Sequence, residues 1–143
     1  MTFIALTDAI FVAPQIDLAA VAAARQLGVT LIINNRPEDE SHDQTPGAEI
    51  EAAASAAGIN YVAIPVGHGG FSQPQVDAMV EALDSTEGKI LAYCRSGTRS
   101  TLLWALAETK TGADPETLSD IAGQAGYDLS PIRPLLDMLK GQA

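Results

Sequence analysis

Cys94 is the chain's one cysteine, and the run that follows it, Arg95-Ser96-Gly97-Thr98-Arg99-Ser100, carries the clearest chemistry in the sequence. An apolar run precedes this thiol and a helical pattern follows it. It therefore sits beside backbone N–H groups that lack intrahelical partners, at the positive end of a helix dipole. Both favour the thiolate, the form that attacks an electrophile. The same N–H groups can ring an anion, and Gly97 lets the backbone curl around it with no side chain in the way. Arg99 is expected to bind two anion oxygens through its guanidinium fork, and Arg95 adds a second positive charge. Arg95, Ser96, Gly97, Thr98 and Arg99 thus form the expected anion-binding loop. A buried structural cysteine is the bland alternative, because free Cys is among the most buried residue types. The flanking Arg-Ser-Gly-Thr-Arg-Ser outweighs it.

The elements that must position this loop alternate between strand and helix. Residues 3–6 and 10–12 read as two short strands, a hairpin around Thr7-Asp8. Asp17 opens a helix with Leu18, Val21 and Leu27 on one face, and Gly28 stops it. Residues 29–33 are a β-branched apolar run, the pattern of a strand buried on both faces. A polar loop, 34–40, follows, then a helix begun by Thr45-Pro46 and ended by Gly58. Residues 61–66 read as another buried strand. Ser72-Gln73-Pro74-Gln75 has capping-box spacing and opens a helix bearing Val76, Met79, Val80 and Leu83. Residues 89–93 form a third buried strand, 94–99 the cysteine loop, and 100–110 a helix with Trp104 in its core face. Asp114-Pro115 and Ser130-Pro131 are expected to cap two more helices.

This alternation predicts an α/β fold of three layers, a mainly parallel sheet of four or five strands with helices on both faces. Ligands of such folds bind beyond the carboxyl ends of the strands. Loops 34–40, 67–71 and 94–99 all lie at that edge and are expected to converge.

The chain's 143 residues suit one domain over 1–143. A chain with 18 Asp and Glu against 8 Lys and Arg, formally −10, repels phosphate backbones and anionic lipid heads, which argues against nucleic-acid and membrane partners. The start Met-Thr-Phe-Ile-Ala-Leu-Thr-Asp has no basic region and no long apolar core, so a cytoplasmic location is expected. A single cysteine and two distant histidines, His42 and His68, predict no metal site, and no motif asks for a cofactor.

Cys94 to Ser100 resembles the signature loops of two groups. Dual-specificity and tyrosine phosphatases have Cys, five residues, then Arg and Ser or Thr; rhodaneses often have Cys, four residues, then Arg or Thr. Four residues separate Cys94 from Arg99, which is the rhodanese length. The order of the remaining segments, however, is similar to that of the dual-specificity phosphatases, and no rhodanese Asp-Val-Arg follows 29–33. More narrowly, nearly all of 3–138 resembles the bacterial beta-lactamase hydrolase-like phosphatase family. The matching pieces are Gln15, Asn34-Asn35-Arg36-Pro37, Ile64-Pro65-Val66, the run from Tyr93 to Ser100 with Trp104, and Gly126-Tyr127-Asp128-Leu129. The resemblance implies a cysteine-phosphatase-like fold, a small anionic substrate, and functional links to metallo-β-lactamase-like and sulfide-oxidising enzymes. Ser100 stands where phosphatases have a hydroxyl that assists thiolate departure; helix N-capping is its ordinary alternative.

A cysteine phosphatase also needs an acid for the leaving oxygen. Dual-specificity enzymes place an Asp after the Ile-Pro-Val strand, where this chain has Gly67-His68-Gly69-Gly70. His68 is the expected substitute, with Glu38 and Asp39 as alternatives whose default roles are capping and ion pairing. Asn35 and Arg36 are expected to line the pocket, although Arg36 equally suits an ion pair with its own acidic loop. Tyr127 and Asp128 read as structural. Three functions remain open: phosphate-ester hydrolysis through a Cys94 phosphocysteine, sulfur transfer through a Cys94 persulfide, and anion binding without turnover.

Overall fold

A computed structural model describes residues 2–142; residues 1 and 143, the expected domain ends, lie outside the described residues. In chain order the elements are β1 (Ile4–Ala5), β2 (Ile10–Ala13), α1 (Leu18–Gln26), β3 (Val29–Asn34), α2 (Gly47–Ala56) and β4 (Asn60–Ala63). They continue with α3 (Gln73–Asp84), β5 (Lys89–Tyr93), α4 (Thr98–Lys110), α5 (Pro115–Gln124), a 3-10 turn at Ser130–Ile132, and α6 (Arg133–Gln142). One five-stranded sheet runs in the order β1-β2-β5-β3-β4, with β1 antiparallel and the other pairings parallel.

Alternation along β5 explains the layers. Ile90 and Ala92 point to one face, where they join Val12, Leu31 and Ile33 under Met79 of α3, Leu103 and Leu106 of α4, and Leu136 of α6. Leu91 and Tyr93 point to the other, with Ile32, against Val21 and Ala24 of α1 and Ile50 and Ala54 of α2. Because β5 lies between β2 and β3, its end is a central point of the carboxyl edge. Cys94 is the next residue, and its N–H still donates to Ala13 O (3.4 Å). Helix α4 is buried on nearly every side, with Trp104 2% exposed, and it leads straight out of the cysteine loop.

Several local expectations change. Helix α1 buries Ala20, Val21 and Ala24, while Leu18 and Leu27 are 48% and 46% exposed. The small alanines allow close approach to the sheet, and Leu27 is already the C-cap. The strand expected over 61–66 is the edge strand β4, half-covered rather than enclosed. Beyond it, the Ile64 and Val66 N–H groups donate to Asn34 O and Asn35 O (both 2.9 Å), so the chain stays pinned along β3. Helix α4 starts at Thr98, two residues earlier than expected, because Gly97 serves as a left-handed N-cap (φ 91°). Ser130 opens a 3-10 turn and is itself capped by Asp128 Oδ1 (2.9 Å). Elsewhere the caps fall where the sequence indicates them. Ser72 and Gln75 form a full capping box, Asp17 accepts from Ala20 N, and Asp114 accepts from Thr117 N. Among the described residues, no helix is long and apolar enough to cross a membrane.

Candidate active site

Strand β5 delivers Cys94 at its carboxyl end, and the chain must then turn sharply to start α4. Gly97 makes the turn at positive φ. The turn aims the Gly97 N–H back at Cys94 Sγ, 3.1 Å away. Arg99 and Ser100 lie in the first turn of α4, where backbone N–H groups have no intrahelical acceptor. A buried thiol (0% exposed) thus receives one backbone donor at the positive end of a buried helix.

Around it, the loop residues divide. Arg95, Ser96 and Thr98 are exposed, and the Ser96 hydroxyl donates to Thr98 Oγ1 (3.0 Å). Arg99 is largely covered and turns toward loop 34–40. Its Nη1 donates to Glu40 Oε2 and to Val66 O (both 2.6 Å), and its Nη2 donates to Glu40 Oε1 (2.8 Å). The guanidinium fork expected to meet a substrate anion therefore meets an internal carboxylate. Its Nε meets no oxygen acceptor among the described residues, and the Cys94 sulfur is a further partner of the guanidinium. The hydrogen bond to Glu40 is the main cause raising the Arg99 pKa, with burial opposing it and the charges of Glu40 and Cys94 adding to it.

Glu40 gathers the rest of the site. Arg36, 4% exposed, donates from Nε to Glu40 Oε1 (2.9 Å), from Nη1 to Gln15 Oε1 (3.0 Å) and from Nη2 to Ser41 Oγ (3.1 Å). All three of its nitrogens are engaged in holding the loop, so Arg36 offers little to a ligand, contrary to the pocket-lining expectation. The Arg99 hydrogen bond first, and then Arg36 and both positive charges, outweigh burial and hold the Glu40 carboxyl down at about 2. His68 Nε2 lies 3.6 Å from Glu40 Oε2, with its side chain 86% exposed. The three loops predicted to converge thus meet at one carboxylate.

Asn35 and Ser100 are buried together, the Ser100 hydroxyl donating to Asn35 Oδ1 (2.8 Å) while Asn35 Nδ2 donates to Ile64 O (2.9 Å). Ser100 is inside α4 and is not its N-cap, a role that Gly97 takes. Glu38 is occupied at the start of α2, where Oε1 accepts the Gly47 N–H (2.8 Å), and Asp39 sits in the left-handed region (φ 61°). A cavity of about 480 Å³ opens within this acidic loop beside Glu38, Asp39 and His42, sharing Glu40 with the cysteine site.

Sequence reasoning missed Glu40 as an individual residue. Its signal was the i,i+4 spacing from Arg36 in a loop otherwise read as generally acidic. It also read Tyr127 as merely structural, although the Tyr127 hydroxyl donates to Ser96 O (3.1 Å), inside the cysteine loop. Nothing near Tyr127 in sequence marks that contact.

The sequence profile of the family described as "Beta-lactamase hydrolase-like protein, phosphatase-like domain" matches residues 2–111. A beta-lactamase hydrolase-like protein of Xylella fastidiosa is 38% identical over 104 residues, covering 71% of this chain and 24% of that protein. One of Agrobacterium fabrum is 28% identical over 130 residues, covering 90% and 30%. The chain thus spans about a quarter of the length of the curated relatives it matches. Among solved structures, a candidate phosphatase of Neisseria meningitidis superposes with a TM-score of 0.84 at 30% identity, over 97% of this chain and 99% of that one. TpbA of P. aeruginosa in complex with phosphotyrosine superposes with a TM-score of 0.68 at 16% identity, over 98% and 88%, a likeness of fold alone.

Proposed function

Because the chain belongs to the phosphatase-like domain family of the beta-lactamase hydrolase-like proteins, we propose that it hydrolyses phosphate esters with Cys94 as nucleophile. The observation that carries the reading is the Gly97 N–H on Cys94 Sγ (3.1 Å) at the start of α4, with the Arg99 guanidinium held beside it. That arrangement gives the sulfur a backbone donor and offers charge to a phosphoryl group. TpbA holds phosphotyrosine on the same fold, which supports a phosphate monoester as substrate class.

In the proposed reaction the Cys94 thiolate attacks phosphorus, an S–P bond forms, and the P–O bond to the leaving group breaks. The leaving oxygen takes a proton from His68, whose Nε2 lies 3.6 Å from Glu40 Oε2. The Arg99 guanidinium, through Nε, and the first-turn N–H groups of α4 hold the phosphoryl oxygens. Water then gives a proton back to His68 and attacks phosphorus, the S–P bond breaks, and inorganic phosphate leaves with the thiolate restored. Ser100, whose hydroxyl donates to Asn35 Oδ1 in this structure, is the proposed donor to the departing sulfur once it rotates away from that bond. Glu40 is fully ionised near neutral pH, which removes it as the acid.

Loop length favours a second reading. With four residues between Cys94 and Arg99 the N–H ring is tighter than in tyrosine phosphatases, which suits a persulfide on Cys94 and sulfur transfer. Turnover of nitrophenyl phosphate, an alkyl phosphate and thiosulfate by wild type, Cys94→Ser and His68→Ala separates the readings. Phosphatase chemistry predicts no turnover by Cys94→Ser. It also predicts a loss of about 10²-fold on the alkyl ester for His68→Ala, with little loss on the aryl ester, whose leaving group needs no proton. Thiosulfate turnover far above any phosphatase rate would favour sulfur transfer, and a uniform His68→Ala loss on both esters would remove His68 as the acid. Anion binding with no turnover of either donor would leave the domain as a binding module.

A further inference from the structure

Tyr127 reaches the cysteine loop from the connection after α5, beyond the residues 2–111 that the family profile matches. Its hydroxyl donates to Ser96 O (3.1 Å). The Gly97 N–H donates to Cys94 Sγ (3.1 Å). Ser96 C=O and Gly97 N–H belong to one peptide unit, and among the described residues no peptide is cis. In a trans unit the carbonyl and the N–H point in opposite directions. A donor that fixes the carbonyl on one side therefore fixes the direction of the N–H on the other.

We infer that Tyr127 is a positioning residue for Cys94, acting through the peptide unit between Ser96 and Gly97. The inference rests on the reading of Cys94 as nucleophile and adds what holds its thiolate-stabilising donor in place.

The need for such a brace follows from Gly97. Its φ of 91° is one of two regions that glycine reaches about equally well. Rotating the 96–97 peptide plane by half a turn carries Gly97 to negative φ and swings its N–H away from Sγ. Glycine's backbone preference does not choose between the two states, so the bonds at the two ends of the peptide do, and the Tyr127 hydroxyl supplies the one at the carbonyl. A hydrogen bond at each end of one peptide also polarises it, strengthening both. The fit is close on the other side as well. A Cβ on Gly97 would collide with Tyr127 Oη, so the tyrosine and the glycine are matched to one another. Burial first, and then the charge on Cys94, raise the Tyr127 pKa, which keeps its phenol a donor through neutral pH.

Tyr127→Phe removes the hydroxyl and keeps the ring. Amide exchange at Gly97, followed by NMR, reports the donor directly and needs no turnover. Wild type is expected to show a protected Gly97 amide, and Tyr127→Phe to exchange it about fivefold faster. The variant's kcat on nitrophenyl phosphate should fall by a similar factor, with KM and the thermal midpoint close to wild type. A merely structural role would instead lower the thermal midpoint and leave kcat of the folded fraction unchanged. Unchanged Gly97 protection in the variant, or a Gly97 amide in wild type that exchanges as fast as the exposed Arg95 amide, overturns the inference. A fast-exchanging Gly97 amide in wild type overturns the inference even if the variant does not fold. Turnover by Cys94→Ser would instead overturn the phosphatase reading and leave the exchange result standing.

Discussion

At the scale of single residues, the centre of the candidate site is a carboxylate. Glu40 accepts from Arg99 through both oxygens, and also from Arg36. It is 13% exposed, so breaking this cluster would leave two guanidinium groups poorly paired and partly out of water. The folded-state pKa of Glu40, about 2, lies below its ordinary 4.5. A depressed carboxylate value means that Glu40 stabilises the fold fully above pH 4.5 and loses that contribution as pH falls through about 2. Glu40→Gln is expected to cost about 1–2 kcal/mol at neutral pH, less than an unscreened buried pair would. Urea denaturation of wild type and variant across pH checks this, and the gap between them should close on approach to pH 2. A gap that is constant with pH would mean that the glutamate's shape, and not its charge, matters. The sequence showed the cysteine and both loop arginines because their types are unusual in an acidic chain. It did not show that the outer fork of Arg99 already meets a carboxylate, because the partner lies 59 residues away.

At the scale of elements, the turn from β5 into α4 sets the site's geometry. Strand β5 was legible from its unbroken apolar run, and the α3 capping box from the spacing of Ser72 and Gln75. The first turn of α4 was not. Thr98 and Arg99 are polar and read as loop, and only the left-handed cap at Gly97 brings them into the helix. The position of β4 at the sheet edge was equally hidden, since an apolar run does not reveal how many neighbours a strand has. Gly97→Ala tests the turn. A side chain there is strained at positive φ and collides with Tyr127 Oη, for an expected loss of about 3 kcal/mol. Adding Tyr127→Phe relieves the collision but not the strain, so the double variant should recover part of the loss. Chemical denaturation of the two variants reads both effects, and identical stabilities would show that no collision occurs.

Across the whole molecule, the sheet is covered on both faces, and at its carboxyl edge three loops gather around Glu40. The doubly covered sheet follows from the alternation of strand and helix patterns, and so does the expectation that chemistry sits at that edge. What alternation cannot convey is which distant residue touches which loop. Tyr127 and Glu40 act on the cysteine turn from opposite directions, one from the connection after α5 and the other from the loop after β3. In the proposed reaction Cys94 accepts a phosphoryl group. Rapid acid quench of wild type turning over nitrophenyl phosphate, followed by mass analysis of the peptide containing Cys94, tests it most directly. The expected result is one phosphoryl group on Cys94, none on Cys94→Ser, and decay of the adduct as phosphate appears. Turnover with no adduct on this peptide, retained by Cys94→Ser, would contradict it.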